Sequence, residues 1–256
     1  MKLKYQSLTV IIAIVLLSVS VSLGQQDKAK TENKTSGTTT KPVPKVVNIT
    51  QQTKPEELAQ IAFDVLGGEK FKNVKSLVLI GTLSLYAPNS TQSFGGSFVM
   101  ANAGVKSRLE VKSIQSFTQI HDGQQTWNSF QGVDIPPTSK FGLVAFQHFG
   151  ESGFTVSALP DKNKMRAFSF SDAEGNTTNF YLDSKTGRIK SYEIPYNGYT
   201  FGADVDELKE YEGVLVPTKF VQRLDTPYGA FYAEFKTKEV KINTEVPASW
   251  FEIPTK

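Results

Sequence analysis

The chain of 256 residues contains no cysteine and only two histidines, His121 and His148. Without cysteine there can be no disulfide, no thiolate metal site, no nucleophilic thiol and no lipidated cysteine, so the fold has to be held by its core alone. Two isolated histidines, without a His-Glu-x-x-His or Gly-x-Ser-x-Gly motif, leave neither a zinc hydrolase nor a serine hydrolase pattern. The glycine pair Gly67-Gly68 is followed by no Gly-Lys-Ser or Gly-Lys-Thr, which argues against a phosphate loop. No catalytic residue, cofactor or metal is therefore expected. Asp204, Asp206, Glu207, Glu210 and Glu212, and the run Asp172 to Asn176, lack a full calcium-ligand spacing and read as a solvated strand face and a hairpin turn.

Long apolar runs are also scarce. Leu8 to Leu17 is apolar apart from Thr9, shorter than the ~20 residues that span a bilayer, and it follows the basic residues Lys2 and Lys4. Ser22 and Gly24 then supply the small side chains of a signal peptidase site. Residues 1–24 are expected to be a signal peptide. The Lys/Thr/Pro-rich residues 25–52 are expected to be a disordered linker, and residues 53–256 one folded domain. This places the protein outside the cytoplasm, in the periplasm or secreted. The sequence-wide net charge of +3 arises from the leader and linker. Beyond them acidic residues slightly outnumber basic ones, so nucleic acid is an unlikely partner on electrostatic grounds.

Within the domain, Thr53-Lys54-Pro55-Glu56 has capping-box spacing, and Leu58, Ile61, Ala62, Val65 and Leu66 recur on one helical face before Gly67-Gly68 ends the helix. From Val74 the period becomes two. Leu77, Leu79, Leu83 and Leu85 share one face of a first strand, with Gly81 among them. Further strands are expected near 92–101, 105–112, 114–121, 124–130, 154–159, 164–171, 177–183, 187–196, 200–211, 214–224 and 229–242. Asp122-Gly123, Glu174-Gly175-Asn176 and Glu212-Gly213 are among the turn signals between them. Short links between so many strands imply a mainly β, antiparallel meander curved into one large sheet or barrel.

Pro136-Pro137 interrupts the pattern. Phe141, Leu143, Val144, Ala145, Phe146 and Phe149 then form a helix that is apolar nearly all round and needs cover on more than one side. It is expected either to lid the concave face of the sheet or to be an ordinary core helix. In the lid arrangement Phe141, Val144, Ala145 and Phe149 face the sheet, and Phe146→Asp is expected to tell little about the cavity.

The order of amphipathic helix, Leu-rich strand, Ser116 to Gly123 with Trp127, apolar central helix, Asn179-Phe180-Tyr181-Leu182-Asp183 with Thr186-Gly187-Arg188-Ile189, and terminal Trp250-Phe251-Glu252-Ile253-Pro254 resembles the periplasmic lipoprotein-carrier (LolA/LolB-like) superfamily. The resemblance covers most of residues 54–256. It implies a single-domain unclosed β-barrel, or half-barrel, with helices lidding an apolar concave face. In transport members that face takes the acyl chains of a lipoprotein. The chain departs from the carriers after its second strand, where Ala101-Asn102-Ala103-Gly104 stands in place of their Arg-Pro.

The expected function is accordingly an exported carrier or binding protein for lipid, or for the acyl chains of a lipoprotein, in the bacterial envelope. The alternative is a non-transporting envelope sensor or protein-docking module built on the same half-barrel. An envelope membrane protein is a further expected partner, and the chain is expected to be a monomer. The expected cavity and lid residues are Phe141, Val144, Ala145, Phe149, Phe168, Phe170, Phe180, Phe231 and Phe235, large apolar surfaces that can hold an acyl chain without a charged contact.

Overall fold

A computed structural model describes residues 47–129, 135–226 and 229–255. The signal peptide expected at 1–24 and most of the linker expected at 25–52 lie outside the described residues. Helix α1 (Pro55–Leu66) is followed by the short α2 (Glu69–Lys72) and by strands β1 (Ser76–Tyr86), β2 (Ser93–Ala103), β3 (Lys106–Lys112), β4 (Phe117–His121) and β5 (Thr126–Asn128). A helical turn, α3 (Gly142–Phe146), precedes β6 (Thr155–Ala158), β7 (Arg166–Ser171), β8 (Thr177–Leu182) and β9 (Ile189–Tyr196). The chain finishes with β10 (Tyr199–Tyr211), β11 (Val214–Thr226), β12 (Gly229–Ile242) and a 3₁₀ turn at Ala248–Phe251.

All twelve strands form one antiparallel sheet in the order β5-β4-β3-β2-β1-β12-β11-β10-β9-β8-β7-β6. The chain enters at the middle, walks outward to the β5 edge, crosses to the opposite edge at β6 and walks back until β12 pairs with β1. The sheet is therefore an unclosed barrel. Its register shifts at Ile80/Gly81, around Glu207 and at Tyr181/Leu182, and such bulges sharpen twist and bend a sheet. Hairpins hold the register locally. Asn197-Gly198 and Glu212-Gly213 have positive φ at both central positions, the type I′ geometry that matches strand twist.

The period-two leucines of β1 face the concave side, where α1, α2 and α3 cover the sheet and the main core lies. Phe146 stands at its centre with no exposed surface, its ring 4.9 Å from Phe180, 5.3 Å from Phe170 and 5.6 Å from Phe168. Phe63 and Phe71 from the N-terminal helices approach it from the other side. Phe146 is thus the residue that joins helices to sheet. The central helix is shorter than expected. Gly142 starts it at φ +64°, and after Phe146 the backbone closes tighter three-residue turns, Phe149 N donating to Phe146 O.

Two smaller corrections concern the helix start and the convex face. Only half of a capping box forms, one residue later than Thr53/Glu56: Lys54 N donates to Glu57 Oε2 at 3.2 Å, while Thr53 Oγ1 accepts from Thr50 N at 2.9 Å. Pro55 at the first helical position explains the shift, since its ring imposes helical φ and needs no donor partner there. On the convex face Val78, Ala101 and Phe251 form a second core under the C-terminal turn. Arg108 clamps that turn by donating from Nη1 to Trp250 O at 3.0 Å, while its Nη2 pairs with Glu110 at 2.6 Å. Hydrogen bonds from Lys112 and Arg108 hold the Glu110 carboxyl below the usual carboxylate range.

Candidate ligand cavity

The crossover between the two sheet edges must pass over the concave face, and side chains from both halves of the sheet hold it there. On the β2–β4 side, buried Gln119 donates from Nε2 to Ile135 O at 2.7 Å, Thr138 Oγ1 donates to Asn102 Oδ1 at 3.1 Å, and Ser107 Oγ reaches Ser139 Oγ at 3.4 Å. On the β8 side, the Gly142 backbone N–H donates to Thr178 Oγ1 at 3.0 Å. Beyond the helical turn, Gln147 Nε2 donates to Phe71 O at 3.0 Å. Each bond supplies a partner that a buried loop backbone or polar side chain would otherwise lack.

Between this strap and the sheet lies a cavity of about 160 Å³. Phe141, Leu143 and Val144 form its roof, and Leu79, Met100, Leu109, Ile194, Phe201 and Phe220 are in its walls. A second cleft of about 50 Å³ opens beside it and shares Leu77, Asn102, Leu143, Val144 and Pro217 with it. Leu143 and Val144 thus border both spaces.

Of the nine residues expected to contact a ligand, the structure puts Phe141 and Val144 on the cavity surface, Val144 on both spaces. Ala145, Phe168, Phe170 and Phe180 are buried in the aromatic core around Phe146, and Phe149 packs on the same cluster. Phe235 stacks at 4.8 Å on the wall residue Phe220, nearly parallel, and so lies behind the wall. Phe231 is half-buried, four strand positions from Phe235 on the same face with Ala233 between them, and does not line the cavity. Sequence reasoning missed Tyr192, Gln222 and Asn102, which line the cavity with polar tips. Strand period carried the signal, since Gln222 follows Phe220 by two and Tyr192 precedes Ile194 by two.

The histidines lie apart from one another in role. His121 is buried at the end of β4, its Nδ1 3.0 Å from Thr126 Oγ1, and burial holds the imidazole below its ordinary value. His148 is exposed, stacked on Phe154 at 5.1 Å and 2.8 Å from Glu151 Oε2. Among the described residues no group of three or more His, Cys, Asp or Glu could hold a metal ion, and no helix is long and apolar enough to cross a membrane. Arg223 borders the cavity, but its guanidinium is engaged by Asp225 at 3.0 Å and Glu193 at 3.2 Å. Glu193 also accepts from Tyr181 OH at 2.8 Å, and burial together with that carboxylate pushes the Tyr181 phenol up to about 12.

Fold and cavity together define an unclosed β half-barrel whose apolar interior is partly covered by helices, the architecture implied by the LolA/LolB-like resemblance. The chain is similar in structure to a LolA superfamily protein from Nitrosomonas europaea at 10% identity and TM-score 0.49, with 78% of this chain and 98% of that one covered. It is likewise similar to a DUF1329 family protein from Desulfovibrio piger, at 9% identity and TM-score 0.48 over 78% of this chain and 98% of that one. A third similar structure is a putative outer membrane lipoprotein-sorting protein domain from Vibrio parahaemolyticus, at 12% identity and TM-score 0.46 over 75% of this chain and 97% of that one. No family model and no curated protein sequence matches the chain.

Proposed function

We propose that the protein is an exported, non-catalytic carrier or binding protein for lipid, or for the acyl chains of a lipoprotein, in the bacterial cell envelope. The observation that carries this reading is the apolar trough between the sheet and the strap, roofed by Phe141, Leu143 and Val144. Burying about fifteen methylenes at ~0.8 kcal/mol each is worth roughly 12 kcal/mol gross, before the costs of association and of extracting the chain from another apolar host. An apolar trough can thus hold one acyl chain without a charged contact. The larger space, at about 160 Å³, is smaller than the ~300–1,000 Å³ typical of ligand pockets. The adjoining cleft of about 50 Å³ does not make up the difference, so a whole chain requires the strap at Leu143 and Val144 to lift from the sheet. The export part of the reading rests on the basic, apolar and small-residue segments of residues 1–24.

The test is native mass spectrometry of the protein purified from envelope extracts without detergent exchange. A co-purifying lipid or acylated peptide at one per chain is the expected result. Protein that is lipid-free and takes up no hydrophobic fluorophore would overturn the proposal in favour of a docking module.

A further inference from the structure

One cross-strand row of the concave face runs Tyr192–Ala203–Gln222, set by the pairing of β9 with β10 and of β10 with β11. Adjacent strands are ~4.8 Å apart, so the Tyr192 and Gln222 backbones are separated by about 10 Å with the small Ala203 between them. All three residues line the larger cavity. The row beside it, Glu193–Gly202–Arg223, alternates to the opposite face, where the guanidinium lies over Gly202. Two long polar side chains therefore flank a notch in a mainly apolar wall.

Tyr192 sits under the roof: a Cβ on Gly142 would lie 3.2–3.4 Å from its ring and hydroxyl. It retains some accessible surface although the surrounding protein is deep, and the two facts agree because that surface borders the cavity. Burial pushes its phenol up to about 12, so it keeps its proton at any physiological pH. Neither the Tyr192 hydroxyl nor the Gln222 amide has a hydrogen-bond partner among the described residues, whereas the polar side chains that fasten the strap do. Both groups are therefore free to pair with a molecule in the cavity.

Resting on the lipid-binding reading above, we infer that Tyr192 and Gln222 form a hydrogen-bonding notch that recognises the neutral ester or amide carbonyl of an acyl chain lying in the cavity. Both can donate, through O–H and N–H, and a carbonyl oxygen accepts two such bonds. A carboxylate or phosphate fits less well, because Arg223, the one cation among the described lining residues, turns its guanidinium to the opposite face, where Asp225 and Glu193 neutralise it. The notch therefore selects acyl esters and amides over free fatty acids and over plain hydrocarbons. The same carbonyl chemistry occurs in a free glyceride and in an acylated peptide.

The experiment displaces N-phenyl-1-naphthylamine from the full mature chain with monopalmitoylglycerol, an N-palmitoylated peptide amide, sodium palmitate at pH 8, or hexadecane. Tyr192→Phe removes only the hydroxyl, and Gln222→Met keeps the length without the amide. Each is expected to weaken the ester or amide ligand roughly three- to ten-fold, the range of one neutral hydrogen bond, and to leave hexadecane within two-fold. The thermal midpoint of ligand-free Tyr192→Phe is expected to be unchanged or higher, which a purely structural hydroxyl would not allow. Whichever acyl ligand binds native protein more tightly identifies the source. Equal losses for ester and hexadecane in both variants, or no loss for either, would overturn the notch while leaving lipid binding intact. Failure of native protein to bind the fluorophore or any of the ligands would overturn the lipid-binding reading itself. Should Tyr192→Phe not fold, Gln222→Met alone decides between these outcomes.

Discussion

Gly81 of β1 lies so close to Lys236 of β12 that a Cβ at position 81 would be 2.1 Å from the Lys236 carbonyl oxygen. The two strands are the first and last of the sheet and join its halves, and the register slips at this point. Gly81→Ala must push β12 away or displace Phe98, whose Cε1 would be 2.8 Å from the new methyl. A loss of about 2–3 kcal/mol is expected from overpacking at such a seam, read as a lower urea midpoint with an unchanged m-value. An unaltered midpoint would mean that the seam is looser than the geometry implies.

Phe146 and Val144 are two residues apart but serve different ends. Phe146→Ala removes the ring at the centre of the aromatic core and is expected to cost ~3–5 kcal/mol, seen in chemical denaturation. Val144→Asp instead places a carboxylate on the cavity surface, where an unpaired charge costs several kcal/mol on the order expected for desolvation or stays protonated. That variant should keep its β circular dichroism signal while losing most uptake of a hydrophobic fluorophore. Equal uptake by folded Val144→Asp would remove Val144 from the binding surface.

His121 links stability to pH. Burial lowers its folded value below the ordinary 6.5, so between the two values the unfolded chain binds a proton that the folded chain does not. Its contribution is complete above about pH 6.5 and declines as pH falls towards the folded value. Below about pH 4.5, protonation of Glu110 and Glu193, both held below the usual carboxylate range, removes further stability with the same sign. His121→Gln should flatten the first decline and spare the second, measured as urea midpoints from about pH 2 to pH 8. The double change of His121 and His148 to Gln should leave fluorophore binding intact apart from modest packing effects.

The leader is tested by intact mass. Protein recovered from the envelope is expected to begin at Gln25, and retention of Met1 on membrane-bound chains would instead indicate an uncleaved anchor.

Strand number, order of elements and most turns were legible in the sequence because they rest on local chemistry. Period-two apolar residues in β1, glycines with positive φ at Gly123 and Gly213, and Gly67-Gly68 after α1 act within a few residues of themselves. The apolar crossover was legible too, since Pro136-Pro137 and a run of aromatics without polar relief cannot be a half-exposed strand. Which face each crossover residue presents was not. Phe146 and Val144 have similar hydrophobicity, and only the packing of α1, α2 and β7–β8 around the crossover decides that one fills the core and the other borders the cavity. The Tyr192–Ala203–Gln222 row depended likewise on pairing between three strands. Residues 192, 203 and 222 have no relation along the chain; register brings them together, and register is settled by the bulges and hairpins of the assembled sheet.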